Sequence, residues 1–329
     1  MSETVAEFMQ KPVKKYACGK KAQEAKKTLM RAFTASKKRS AAKESALFGQ
    51  IVDSVMKTKT GRETMTALSG LGYSFVFERV PSLDGYCDPE NKKIVLNPSS
   101  SLPNMMQTLV HEGTHAVQRS LKKENAPEYW EMNAASMLRC RRAIEADAVA
   151  HETAFAYECK NVVPEVYRDA EKQNSPMFRA YVGEMEKSGD EKKAMRASFA
   201  AWYEHDSYRK SYDLLHACDI RSFCEWGKRQ ELDYLFSKEY SAKDVSDICR
   251  HKGQAYMSPE FLNKGLAFSI TAEDKKSLCD ALRDYAEAVG KKPDKSLSAM
   301  RIRSPEGVLS PEKKSVKAAV VAKAGRGGR

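Results

Sequence analysis

The segment Thr108-Leu109-Val110-His111-Glu112-Gly113-Thr114-His115-Ala116-Val117-Gln118 constrains this chain more than any other. Its two histidines stand four residues apart in an apolar, helix-favouring run. Side chains at i and i+4 lie on one face of a helix, so His111 and His115 can close on a single metal ion. Glu112 follows the first histidine and points to the side of that face. From there a carboxylate reaches a water beside the metal rather than the metal, which is where a general base belongs. Leu109, Val110, Ala116 and Val117 can seat the helix in a core while the metal face opens to a cleft.

Two imidazoles leave a catalytic zinc site incomplete, because such sites take three protein ligands and keep one position open. The third must come from another element packed against the first helix. The richest source is Arg142-Ala143-Ile144-Glu145-Ala146-Asp147-Ala148-Val149-Ala150-His151-Glu152. It lies in 136–160, which contains no Gly or Pro and reads as one long helix. Glu145, Ala148, Val149 and Glu152 share a face, and the alanines let two helices approach closely. Glu145 is the expected third ligand, with Asp147, His151 and Glu152 as alternatives. Asp147 and His151 also form an i, i+4 pair, a spacing that suits a carboxylate supporting a histidine from behind. Gln118, seven residues after His111, falls on the metal face. A donor for a developing oxyanion is sought in the aromatic cluster around His205, Tyr208 and Tyr212. His216 and His251 lack partner spacing and are expected to be structural.

These residues carry a resemblance. Gly85-Tyr86-Cys87-Asp88-Pro89, Ile94-Val95-Leu96-Asn97, the run Leu109 to Gln118 and Glu145-Ala146-Asp147-Ala148 resemble a family of predicted zincin-type metallopeptidases, gluzincin-like in character. The similarity covers about residues 61–160 and extends weakly to Phe199-Ala200-Ala201-Trp202-Tyr203 and to 208–213. It implies a zincin fold in which the strand before the metal helix forms the lip of the cleft. It also implies that His111 and His115 bind zinc, that Glu112 is the base, and that the substrate is a peptide or protein. One departure stands out. Better-known members place the ligand in Glu-x-x-Ala-Asp, four residues before the aspartate, and here that position is Ala143. Glu145 fits only the Glu-x-x-Ala part, with Ala148.

The expected class is α+β, predominantly α. Helical periodicity marks 44–57 and a short helix from Gly61 that Gly70 and Gly72 stop. Tyr73 to Phe77 and Lys93 to Asn97 read as strands, and 84–97 as a hairpin or meander. Beyond 160 the strong patterns are helical, over 165–187, 191–216, 219–236, 241–250, 259–266 and 272–289. The expected organisation is a basic N-terminal segment (1–45), a zincin-like metal-binding core (46–160), a helical part completing the cleft (161–290) and a disordered basic tail (291–329).

Charge sharpens this division. The chain of 329 residues has a net charge of +12. Residues 1–45 and 291–329 carry +8 each, leaving −4 for the middle. Basic ends of this kind can hold polyanions, but no zinc-finger spacing or aromatic-basic motif supports more than an accessory role. No apolar run is long enough for a membrane span, and the acidic N-terminus lacks the features of a secretory signal. Eight scattered cysteines without a Cys-x-x-Cys pair suit reduced thiols in a cytoplasmic setting. The leading expectation is a zinc metallopeptidase. The competing ones are a zinc-binding interaction module without catalysis, against which Glu112 argues, and a polyanion binder acting through the ends.

Overall fold

The computed structural model of the protein describes residues 19–35 and 41–310. It is α+β and mostly helical, with one four-stranded sheet placed ahead of the histidine-bearing helix. Helix α1 (Lys20–Ala32) buries Ala22, Ala25 and Leu29, a spacing of three and four that turns one stripe to the core. The basic N-terminal segment therefore contributes a packed helix. Its residues 1–18 and 36–40 lie outside the described residues.

Strand β1 (Phe33–Thr34) leads to α2 (Ala41–Val55) and α3 (Lys59–Ser69). Thr58 caps α3 by accepting the Gly61 N–H, and Gly70 ends it. Strands β2 (Ser74–Phe77), β3 (Gly85–Asp88) and β4 (Lys93–Leu96) complete the sheet in the order β1-β2-β4-β3. β1, β2 and β4 are parallel, and β3 returns antiparallel to β4 with Cys87 opposite Ile94. The strand just before the metal helix, β4, is thus interior. The free edge and lip belong to β3, one strand earlier. Asn97 fixes that edge: its side-chain amide donates to the Val80 and Leu83 carbonyls at 2.8 Å each, and its backbone N–H to Asp84 at 2.8 Å.

Helix α4 (Leu102–Leu121) carries the two histidines. Ser101 accepts the Asn104 N–H at its start, and Pro103 sits in its first turn, where a missing N–H does no harm. Gly113 lets α4 lie directly on α3. A Cβ there would come within 2.8 Å of Leu68 and 2.9 Å of Thr64. Helix α5 (Ala134–Glu158) is buried on nearly every side, as its alanine-rich sequence requires. It joins two cores. Phe155 and Ala156 pack with the sheet and α1–α4, while Met137, Leu138 and Ala143 pack into a second cluster around Trp202 and Phe199.

The remaining helices are α6 (Pro164–Gln173), α7 (Pro176–Ser188), α8 (Glu191–Glu204), α9 (Asp206–Arg229), α10 (Ala242–Ile248), α11 (Pro259–Leu262) and α12 (Ala272–Ala288). The expected single helix over 165–187 is two. Asn174 turns left-handed at φ 50° and Ser175-Pro176 restarts the chain. The expected break between 216 and 219 falls instead at His205, whose extended ψ ends α8 and whose side chain caps α9. Two short pairs were not expected: β5 (Arg250–His251) with β6 (Gln254–Ala255), and β7 (Ser269–Thr271) with β8 (Arg301–Arg303).

The last of these corrects the expected tail. Residues 291–310 belong to the fold. Leu297, Met300 and Arg303 are buried, and β8 runs parallel to β7. Asp294 and Ser296 accept the Ala134 and Ala135 N–H groups at 2.7 and 3.0 Å, closing the N-terminus of α5. Lysine, proline and serine dominate this stretch and conceal three apolar anchors, Leu297, Met300 and Ile302. Residues 311–329 lie outside the described residues. The cysteines described, Cys87 to Cys279, are free thiols. Among the described residues no helix is long and apolar enough to cross a membrane.

Candidate metal centre

α4 and α5 pack antiparallel, so that His111 faces Glu152, His115 faces Glu145 and Gln118 faces Ile144. Helical periodicity thereby brings three donors together. The imidazole rings meet edge to face with centroids 4.9 Å apart. Glu145 Oε2 lies 3.8 Å from His111 Nε2 and 3.6 Å from His115 Nε2. One ligand atom from each of the three residues falls within 4.8 Å of the others. A tetrahedral ion holding donors at ~2.1 Å separates them by ~3.4 Å. The donor set and its spacing fit such an ion.

Charge favours a cation at this point. Burial pulls the pKa of His111 down, but Glu145 and Glu152 outweigh it and hold it well above the ordinary 6.5. Burial likewise lowers that of His115, and the Glu145 carboxylate more than restores it. Burial raises the pKa of Glu145, yet the two imidazoles hold it well below the usual carboxylate range.

The orientation of His115 is set by a chain of hydrogen bonds. Gln118 Nε2 donates to the Ile144 carbonyl at 2.9 Å and to Asp147 Oδ2 at 2.6 Å. Both amide hydrogens are thus engaged, and Oε1, 2.9 Å from His115 Nδ1, can only accept. Nδ1 therefore always carries a proton, and Nε2 is the nitrogen left to face the cluster. Asp147 is held in turn by the Tyr256 hydroxyl, which donates to Oδ1 at 2.7 Å. His111 Nδ1 faces Glu152 Oε2 at 3.0 Å, which fixes its tautomer the same way.

Of the alternatives to Glu145, then, Glu152 lies behind His111, and Asp147 lies behind His115 through Gln118. His151 is buried with Nδ1 on the Asp147 carbonyl at 2.9 Å, and Asp147 raises its pKa to about 9 against the effect of burial. These three stand outside the triad of donors. Tyr256 was not anticipated. It follows β6 in an irregular stretch, 109 residues from Asp147, and no spacing in the sequence marks it.

Glu112 is half-buried on α4, near enough to Cys87 for its charge to act there. Burial, and then the charge of Glu112, push the Cys87 thiol on β3 up to about 12. Burial and the adjacent Glu145 carboxylate raise the Tyr212 phenol. Tyr208 is 40% exposed on the same helix. Burial and the Glu152 charge raise its phenol also. His205 does not face the donors; its Nδ1 accepts the Tyr208 N–H as the cap of α9. His216 is buried behind Tyr212 and kept neutral, its pKa lowered to about 3 by burial and by Arg141 and Arg142. His251 bonds Glu191 at 2.7 Å, away from the centre.

A cavity of about 220 Å³ adjoins the donors. Cys87 and Pro89 form its sheet side, His115 and Glu145 its head, and Lys122, Tyr129 and Arg141 its far end. No curated protein and no solved structure matches the chain. Residues 22–232 do match a family model, and they contain the histidine pair, Glu112, Glu145 and the tyrosines of α9. On this match the chain belongs to the family described as "Putative metallopeptidase family (DUF6782)".

Proposed function

We propose that the protein is a zinc-dependent peptidase of zincin type, with His111, His115 and Glu145 as the metal ligands and Glu112 as the general base. The observation that carries this reading is the meeting of two Nε2 atoms and one carboxylate oxygen at a single point, with the base on the adjacent position of the same helix. Two imidazoles and one carboxylate suit zinc and leave a coordination position open. When bound, zinc supplies Lewis-acid polarisation to the scissile carbonyl and to the attacking water.

The chain's own residues do the rest. The free edge of β3 can take an extended peptide as a further strand, laying it across the head of the cavity. Glu112 removes a proton from the water at a carboxylate oxygen and returns it to the departing amine nitrogen. Tyr212, beside Glu145, and Tyr208, near Glu152, are the hydroxyls available to steady the oxyanion. Gln118 and Glu152 engage Nδ1 of each imidazole and so leave Nε2 aimed at the metal position. A metal site serving only structure has no use for a carboxylate at position 112, which favours catalysis over an inert module.

The test is Glu112→Gln. This variant keeps the shape of the side chain but loses the base. It should retain one zinc per chain and its thermal midpoint, and hydrolyse a broad peptide library at least ~10²-fold more slowly than wild type. Equal turnover by the two proteins would assign the activity to other residues. If the fully zinc-loaded wild type cleaves nothing, the non-catalytic module becomes the better reading.

A further inference from the structure

The far end of the cavity has an unbalanced charge. Lys122 is the first residue past the end of α4, seven residues beyond His115 and roughly 10 Å further along the helix axis. Its side chain is only 8% exposed. The ammonium donates to the Pro127 carbonyl at 3.1 Å and sits 5.2 Å from the centre of the Tyr129 ring. Among the described residues, the one carboxylate within 4.0 Å is Glu128, at 3.9 Å. Both Glu128 oxygens are already held by the Arg119 guanidinium, at 2.9 Å each. Arg141, which also lies over Tyr129, has its own partner in Asp219 at 2.7 Å.

Each arginine thus has a carboxylate, and the lysine has none of its own. A buried ammonium in this position is poorly compensated. Burial lowers its pKa accordingly, although Glu128 opposes the shift. Tyr129, Ile144 and Ile248 line the surrounding wall with apolar surface. Such a wall strengthens any ionic hydrogen bond made beside it. The cavity is smaller than the ~300–1,000 Å³ typical of drug-sized ligands, so it takes one side chain or a chain end.

We infer that this end of the cavity is a subsite for a carboxylate of the peptide substrate, with Lys122 as the residue that selects it. The inference rests on the peptidase reading and adds the substrate class. The carboxylate can come from an Asp or Glu side chain near the scissile bond or from the free C-terminus of a short peptide. Both present the same oxygens to Nζ.

Binding can be measured apart from turnover, on the full-length zinc-loaded Glu112→Gln protein by fluorescence anisotropy. The probes are four labelled heptapeptide pools of Ala, Gly and Leu. Two have a central Glu and two a central Gln, each with a free or an amidated C-terminus. The amidated Gln pool, which has no carboxylate, should bind at least ~10-fold more weakly than the best of the others. If the Glu pools lead whatever their terminus, the source is a side chain; if the free-terminus pools lead, it is the chain end. Adding Lys122→Met should erase the difference, and Lys122→Arg should keep most of it, while zinc content and the thermal midpoint hold in both. Equal binding of all four pools would overturn the subsite, and so would a preference that survives Lys122→Met with the fold intact. If no pool binds, the peptidase reading itself fails, and the subsite with it.

Discussion

Two carboxylates on α5, only two residues apart, hold different places at the candidate metal centre. Glu145 Oε2 points at both imidazole Nε2 atoms, while Asp147 reaches only the His115 ring, at Nδ1 and through Gln118. If Glu145 is a ligand, Glu145→Gln should weaken zinc binding more than Asp147→Asn. The latter loses an acceptor for Gln118 and Tyr256, an outer contact worth ~10–100-fold in affinity. A chelator competition that returned the opposite order would mean that the carboxylates are wrongly assigned. The raised pKa values of His111 and His115 give this binding a pH dependence. Zinc must displace the protons they hold, so affinity should fall as pH drops, and proton release should persist above the ordinary imidazole value of 6.5. Calorimetry in buffers of different ionisation enthalpy measures it, and binding without proton release would contradict the assignment. His111, Glu112, His115 and Glu145 could be chosen from sequence because each sits at a helical spacing from another. Tyr256 and the unbalanced charge of Lys122 could not, since both depend on partners far away in the chain.

Between elements, α4 approaches α3 closely at Gly113. Helix propensity alone would favour alanine there by ~1 kcal/mol. The Cβ, however, would overlap Leu68 and Thr64, both buried and with little room to yield. Overpacking of this kind costs ~1–3 kcal/mol, so Gly113→Ala should lower the thermal midpoint by a few degrees. A midpoint that rises would show that α3 and α4 can part at no cost. The strands and the long helices were legible because their periods are clean: Phe75 and Phe77 alternate inward on β2, and α5 has no breaker. The breaks at Asn174 and His205 were not, because no glycine marks them and a proline marks only the first. The lip of the cleft was misplaced by one strand because chain order does not reveal sheet order: β4 is next to α4 in sequence, yet β3 takes the edge.

Across the whole molecule, the segment beyond the family match supplies parts of the centre's frame. Tyr256 supports Asp147, and Asp294 and Ser296 cap α5. Part of the positive charge counted in the C-terminal segment is internal as well. Arg303 is buried against Asp213, and Lys291 donates to the Asp233 carbonyl at 2.8 Å. Removing residues from 291 on would strip a cap worth ~1 kcal/mol and the buried Leu297 and Met300, each worth ~2–5 kcal/mol. That is a large share of the ~5–15 kcal/mol that holds a domain folded. A chain ending at 290 should therefore melt well below one ending at 310 and retain less zinc. Identical melting curves would return 291–310 to the status of a dispensable tail.

The cap on α5 also sets an order of events. Asp294 closes a helix end that was made 160 residues earlier. A chain growing at ~5–20 residues per second carries all three candidate donors for roughly seven to thirty seconds before that closure exists. Until then Glu145 rides on a helix whose first two N–H groups have neither Asp294 nor Ser296 to meet them, and for most of that interval Asp147 has no Tyr256 behind it. The frame around the candidate donors is therefore completed only when nearly the whole of the described chain has been made.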